Sequence, residues 1–214
     1  MTYDEIKKNK EVCECLKKGN ENLGVLGFTD HSAAHCTMVA KRAAYILKKF
    51  GYSESDIEMV KIAGFMHDIG NVVNRSRHAE YGAILANEIL KETDMSLKDR
   101  ITVVSAIGHH DESTGGATDP ISAADKTDVR RNRVRNKAKE NFDIHDRVNY
   151  AVTDAALKIN MDKKVIALNL QIDTKICSMY EYFEIFLGRM MMCRGAAEVL
   201  GATFKLTANG SKVL

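Results

Sequence analysis

A chain of 214 residues, 45% hydrophobic and 28% charged, has the make-up of an ordinary globular protein and is long enough for one well-buried domain with an appendage. Its formal charge of +2 excludes a generic polyanion binder, and no secretory signal or run of about 18 apolar residues points to export or membrane insertion. Five cysteines, an odd number without zinc-finger spacing, fit a reduced, cytoplasmic protein rather than a disulfide framework.

Near the N-terminus, Cys13-Glu14-Cys15 reads as part of a charged helix and not as a metal pair. Val39, Ala43, Ile46, Leu47 and Phe50 then recur at helical spacing with Gly51 as the stop, which predicts a helix over about 31–50. Ser53 and Asp56 open the next helix, whose apolar face of Ile57, Val60, Gly64 and His67 carries the His67-Asp68 pair inward at its C-terminal end. Helices over 78–91 and 97–110 follow, the first opening on His78 and the second running into His109 and His110. Asp119-Pro120 reads as a cap with proline at the first helical position, opening a helix that holds Asp125. The basic run "DKTDVRRNRVRNKAK", residues 125–139, is read as a continuation of that helix. At about 100° per residue, Arg133 and Arg135 then flank the line from Asp125 through Val129 and Asn132 to Asn136, while Arg130 and Arg131 point away.

Beyond about residue 160 the pattern changes. Val165 to Ile172 alternates as a strand, a helix over about 175–200 closes at Gly201, and Thr203 to Thr207 alternates again before the hairpin signal Asn209-Gly210. The expected fold is therefore mainly α: a helical body over residues 1–160 with a small C-terminal α+β extension, β-α-β-β, over 161–214.

His35, His67, His78, His109 and His110, with Asp68 and Asp125, all fall at ends or inward faces of these helices. So many convergent imidazoles and carboxylates would disrupt a core unless something cationic neutralised them. Five imidazoles and two carboxylates exceed the needs of one tetrahedral zinc and suit two divalent first-row ions, iron, manganese or zinc, bridged by Asp68.

The order His35, His67-Asp68, Asp125 resembles the H…HD…D signature of the HD-domain superfamily of metal-dependent phosphohydrolases, over roughly residues 28–150. His78 within "RHAEYGA" and the His109-His110 pair resemble the subgroup of HD-GYP phosphodiesterases and the ribonuclease Y catalytic domain. That resemblance implies an HD-type helical bundle. It also implies one ion on His35, His67, Asp68 and Asp125, and a second on Asp68, His78, His109 and His110. The stretch "HHDESTGGATD" lacks the GYP signature, Asn71 stands where many relatives have the lysine of HDxxK, and no acidic pair follows as in HDxxED. Cyclic di-GMP and alarmone hydrolysis are therefore not inherited with the fold.

The expected activity is hydrolysis of a phosphate ester by a hydroxide generated between the two ions. Asp68 is central to it, and His31 and Asp128 are candidates for further roles, His31 on substrate or an additional ion and Asp128, Lys126 or solvent as proton donor to the leaving oxygen. Arg133, Arg135 and Asn132 are the expected substrate contacts, favouring a nucleotide or short oligonucleotide. Two other readings use the same residues: a di-iron oxygenase, or a metal-stabilised sensor or assembly module forming a homodimer through its C-terminal strands.

Overall fold

Ser53 caps the helix that delivers the His-Asp pair: its hydroxyl accepts from the Asp56 amide while Asp56 returns the bond to the Ser53 backbone. The computed structural model describes residues 1–111, 120–136, 138 and 142–214. Its helices are α1 (Tyr3–Ile6), α2 (Lys10–Val25), α3 (Ala33–Lys49), α4 (Glu54–Met66), α5 (His78–Lys91), α6 (Leu97–Gly108), α7 (Pro120–Lys126), α8 (Ile144–Ala151) and α9 (Met179–Val199), with 3-10 turns at Ile69–Val72 and Arg131–Arg133. The four long helices expected between residues 31 and 110 are all present. Asp119, the expected cap of α7, lies outside the described residues.

The apolar faces of α2 to α6 bury Leu16, Val39, Ala43, Val60, Ile89, Leu90, Val103 and Ile107 in one core. Two glycines let the elements that carry the site approach closely. A Cβ on Gly64 would lie 2.9 Å from the Ala40 Cα, and one on Gly70 would lie 2.0 Å from the His78 carbonyl oxygen. Only glycine admits these contacts, and they bring the end of α4 against α3 and the start of α5 against the turn after Asp68.

The C-terminal part is mainly a four-stranded sheet in the order β1 (Val152–Asn160), β2 (Val165–Ile172), β3 (Thr203–Ala208), β4 (Ser211–Lys212). Strands β2 and β3 are parallel and joined through α9, a β-α-β unit, while β1 pairs antiparallel with β2 with Leu157 opposite Leu168. Asn209 and Gly210 both take positive φ, 50° and 81°, as the tight hairpin turn requires. β1 was not expected: Ala155, Ala156, Leu157 and Lys158 are helix formers without alternation, and pairing with β2 overrides that preference. The sheet thus starts at Val152 and not after residue 160, and the extension is β-β-α-β-β. Its core includes Ile46 of α3 and Ala123 of α7, so sheet and helical body are packed together.

The basic run departs most from expectation. Helix α7 ends at Lys126, residues 128–130 are irregular, and Arg131–Arg133 forms only a 3-10 turn. Thr127 turns its hydroxyl back to the Ala124 carbonyl at 3.0 Å, and Thr, Asp and Val are weak helix formers. No continuous helix carries the arginines, and their azimuths must be read from contacts.

Candidate metal centre

Helix ends leave carbonyl groups without intrahelical partners, and the site histidines use them. The Nδ1 of His67, at the C-cap of α4, donates to the Gly64 carbonyl at 2.9 Å, and that of His110, just after α6, donates to the Ile107 carbonyl at 2.6 Å. His78 Nδ1 reaches the Arg75 carbonyl at 3.1 Å, and His35 Nδ1, in the first turn of α3, reaches Asp128 Oδ2 at 2.8 Å. With each Nδ1 so engaged, the four Nε2 atoms face one another across a common space.

Asp68 has one carboxylate oxygen on each side of that space. Its Oδ2 lies 3.3 Å from His67 Nε2 and 3.8 Å from His35 Nε2, with Asp125 Oδ1 3.1 Å from His35 Nε2. Its Oδ1 lies 3.6 Å from His78 Nε2, which is 3.2 Å from His110 Nε2. His35 Nε2 and Asp68 Oδ2 are buried and make no hydrogen bond among the described residues. Leaving such groups unpaired is costly, and a divalent cation held by both removes the cost. Ligand atoms of His35, His67 and Asp125 lie within 4.8 Å of one another, as do those of Asp68, His78 and His110. Imidazole and carboxylate donors in these numbers fit divalent first-row metals.

Burial lowers the proton affinity of His31 and His78, and burial together with the neighbouring imidazoles of His67 and His78 lowers that of His110 to about 3. All three are neutral at physiological pH. His67 goes the other way: burial opposes its charge, but Asp68 beside it more than offsets this and raises its pKa well above the usual value. Against their own burial, Asp68 is held ionised chiefly by His67, and Asp125 chiefly by Lys126. The metal-free chain therefore holds a proton on His67 that a ligand role requires it to lose. Metal uptake by stripped protein is expected to release protons and to weaken as pH falls from about 8 to 6. A titration series across that range checks this, and an affinity independent of pH would contradict it.

The structure brings His35, His67, Asp68, His78, His110 and Asp125 together. It does not bring His109, which is exposed and donates Nδ1 to the Ser105 carbonyl at 2.8 Å. Helix α6 stops at Gly108, and of the two adjacent histidines only His110 turns inward. His110→Ala is expected to lower the metal content by one ion per chain and His109→Ala to leave it unchanged. Elemental analysis of the two variants decides, and metal loss in His109→Ala alone would reverse the assignment.

Asp128 is fully buried, with one oxygen on His35 Nδ1 and both on the Arg130 guanidinium. Burial opposes its charge, but His35 and Arg130 hold it far below the usual carboxylate range, so it meets His35 as a carboxylate. Arg130, expected to point away, is its clamp. His31 precedes α3, whose cap is Ser32, and so does not share a helix face with His35. Its Nδ1 donates to the Thr29 carbonyl at 2.7 Å and its ring centroid lies 5.6 Å from that of His35.

A cavity of about 270 Å³ opens beside Asp125, with Phe28, His31, Arg75, Lys126, Arg133 and Arg189 in its wall. Arg133 lies there as expected, although it is buried and donates to the Asp30 and Asp128 carbonyls at 3.0 and 2.9 Å. Arg135 does not: it donates to the Phe28 carbonyl at 3.0 Å and to Asn20, bracing the loop before α3. Asn132 faces a separate hollow with Arg130, Arg131 and the start of β1. The sequence offered no local signal for Arg75 or Arg189, which come from a loop and from α9. Nor did it single out Cys36, whose buried Sγ lies within 4.8 Å of ligand atoms of His67 and Asp68.

A helical body with a buried histidine and aspartate cluster at its helix ends, suited to divalent metal, defines the class. Residues 33–159 match the HD domain family, and the chain belongs to it. Members of that family are mostly metal-dependent hydrolases. The chain is 32% identical over 171 residues to the uncharacterized protein MJ1020 of Methanocaldococcus jannaschii, a match covering 68% of this chain and 66% of that one. It is 30% identical over 114 residues to Ribonuclease Y of Enterococcus faecalis, covering 50% of this chain but 20% of that one. The chain thus spans just under two thirds of the first relative and a fifth of the second. Among the described residues, no helix is long and apolar enough to cross a membrane.

Proposed function

We propose that the chain is a two-metal phosphohydrolase that cleaves a phosphate ester of a nucleotide or short oligonucleotide. The observation that carries this reading is the Asp68 carboxylate, with Oδ2 toward His35, His67 and Asp125 and Oδ1 toward His78 and His110. His35, His67, Asp68 and Asp125 would hold one ion, and Asp68, His78 and His110 the other. Bound there, two such ions supply Lewis acidity and a water made acidic enough to act as nucleophile near neutral pH.

The chain's own residues do the rest. Asp128 and the Gly64, Arg75 and Ile107 carbonyls hold the four rings in orientation. Arg75, Lys126, Arg133 and Arg189 share the adjoining cavity wall with Asp125, Asp128 and Asp143, four cations to three carboxylates, a surplus that suits an anionic ester, and His31 lines the same cavity as a substrate contact. Lys126 lies 2.9 Å from Asp125 and 3.2 Å from Asp111. Burial disfavours its charge, but these two carboxylates raise its pKa, so it keeps its proton. With Asp128 ionised as well, the proton for the leaving oxygen comes from solvent in the cavity.

One observation favours a second reading. Without His109, the second group offers three residues and leaves more coordination positions open, as a di-iron oxygenase would need. The surplus of cationic side chains in the cavity wall favours the phosphate ester. Metal-loaded protein is expected to hydrolyse bis(p-nitrophenyl) phosphate and members of a nucleotide panel without consuming oxygen. Arg133→Lys should raise KM for a nucleotide while barely changing turnover of the p-nitrophenyl ester. Oxygen uptake with no hydrolysis of any phosphate ester would overturn the proposal in favour of the oxygenase.

A further inference from the structure

Arg75 stands between the metal centre and the cavity. Its Nη1 donates to His78 Nε2 and to Asn71 Oδ1, both at 3.3 Å, and lies 3.9 Å from Asp68 Oδ1. Two of the three residues assigned to the second ion, Asp68 and His78, are thus within reach of a single guanidinium nitrogen. Asn71 orders the pair, because its Nδ2 donates to Asp68 Oδ1 at 2.7 Å while its Oδ1 accepts from Arg75. The rest of the guanidinium looks outward: its Cζ lies 5.6 Å from the centre of the Phe28 ring, and the side chain forms part of the cavity wall. On the other side of Asp68, Lys126 approaches Asp125 through Oδ2, away from the Oδ1 that faces His35.

We propose that Arg75 is a built-in competitor for the second ion, a protein-borne cation that occupies the Asp68 and His78 side of the centre and must leave before that ion binds. The proposal rests on the two-ion reading above. A lone pair on His78 Nε2 cannot serve a guanidinium N–H and a metal at once, and a guanidinium beside a divalent cation is repelled by it. Displaced, Arg75 retains the Phe28 ring and the cavity, where its charge adds to that of Lys126, Arg133 and Arg189. Second-ion binding and the charge of the substrate cavity are therefore coupled through one side chain, which does not reach His67 or His35, the histidines assigned to the first ion.

A site open only a fraction of the time binds with its affinity reduced by that fraction, so an occupant present about nine-tenths of the time weakens binding about tenfold. The test is a Mn2+ titration of chelator-stripped protein, with free ion followed by electron paramagnetic resonance, for the unaltered chain, Arg75→Met and Arg75→Ala. Arg75→Met keeps an unbranched apolar stem and removes the charge. The expected result is unchanged affinity for the first ion, which also reports an intact fold, and about tenfold tighter binding of the second in both variants. Two ions bound with equal second affinity in all three proteins would overturn the proposal and leave the two-ion reading intact. One ion in all three would overturn both.

Discussion

Asp68→Ala is expected to leave no measurable turnover and to lower the affinity for both metal ions at once. Among the described residues, Asp68 faces both histidine groups: Oδ2 lies 3.3 Å from His67 Nε2, and Oδ1 lies 3.6 Å from His78 Nε2. Its removal also strips His67 of the carboxylate that holds its proton in the metal-free chain. Ligands on one side only should behave differently, with His110→Ala sparing the ion on His35, His67 and Asp125. Metal titration and turnover on one phosphodiester, with folding checked by circular dichroism, separate these outcomes. Near-normal turnover in folded Asp68→Ala, or loss of only one ion, would show that Asp68 does not bridge.

Asp128→Asn is expected to weaken the first ion by about 10–100-fold, the range found when a residue that orients a ligand is lost. Asn can accept from His35 Nδ1 through its carbonyl, but it no longer carries the charge that Arg130 clamps. Arg130→Ala should therefore shift the same property in the same direction by a smaller factor, because it frees Asp128 to turn away from His35. A residue acting as proton donor would give a different result: kcat and its pH profile would change while metal affinity stayed the same. Titration of the two variants beside a pH-rate profile distinguishes positioning from proton transfer.

Much of the helical body was legible because helix ends are written locally. Ser53 with Asp56 gives the start of α4, Gly51 the stop after α3, and Gly64 together with His67 marks the inward face. Burial of His35, His67, His78 and His110 followed from their places on those helices. The choice between His109 and His110 did not, because it depends on whether α6 ends at Gly108 or one residue later. The path after Lys126 was illegible for a longer-range reason. Asp128 meets His35, 93 positions earlier, and Arg133 and Arg135 meet the carbonyls of Asp30 and Phe28, contacts with no counterpart in local helix propensity. Strand β1 was hidden likewise, since Ala155 to Lys158 favour a helix and only β2 makes them a strand. The cavity wall joins residues from a loop, α7 and α9, whose proximity is a product of the fold.

The most direct test of a centre built on both oxygens of Asp68 is anomalous diffraction from crystals of the metal-loaded protein, recorded at the absorption edge of the bound metal. Two peaks are expected, one among His35, His67, Asp68 and Asp125 and the other among Asp68, His78 and His110, with the Asp68 carboxylate between them. A single peak, or a second peak held by His109 and away from Asp68, would contradict it.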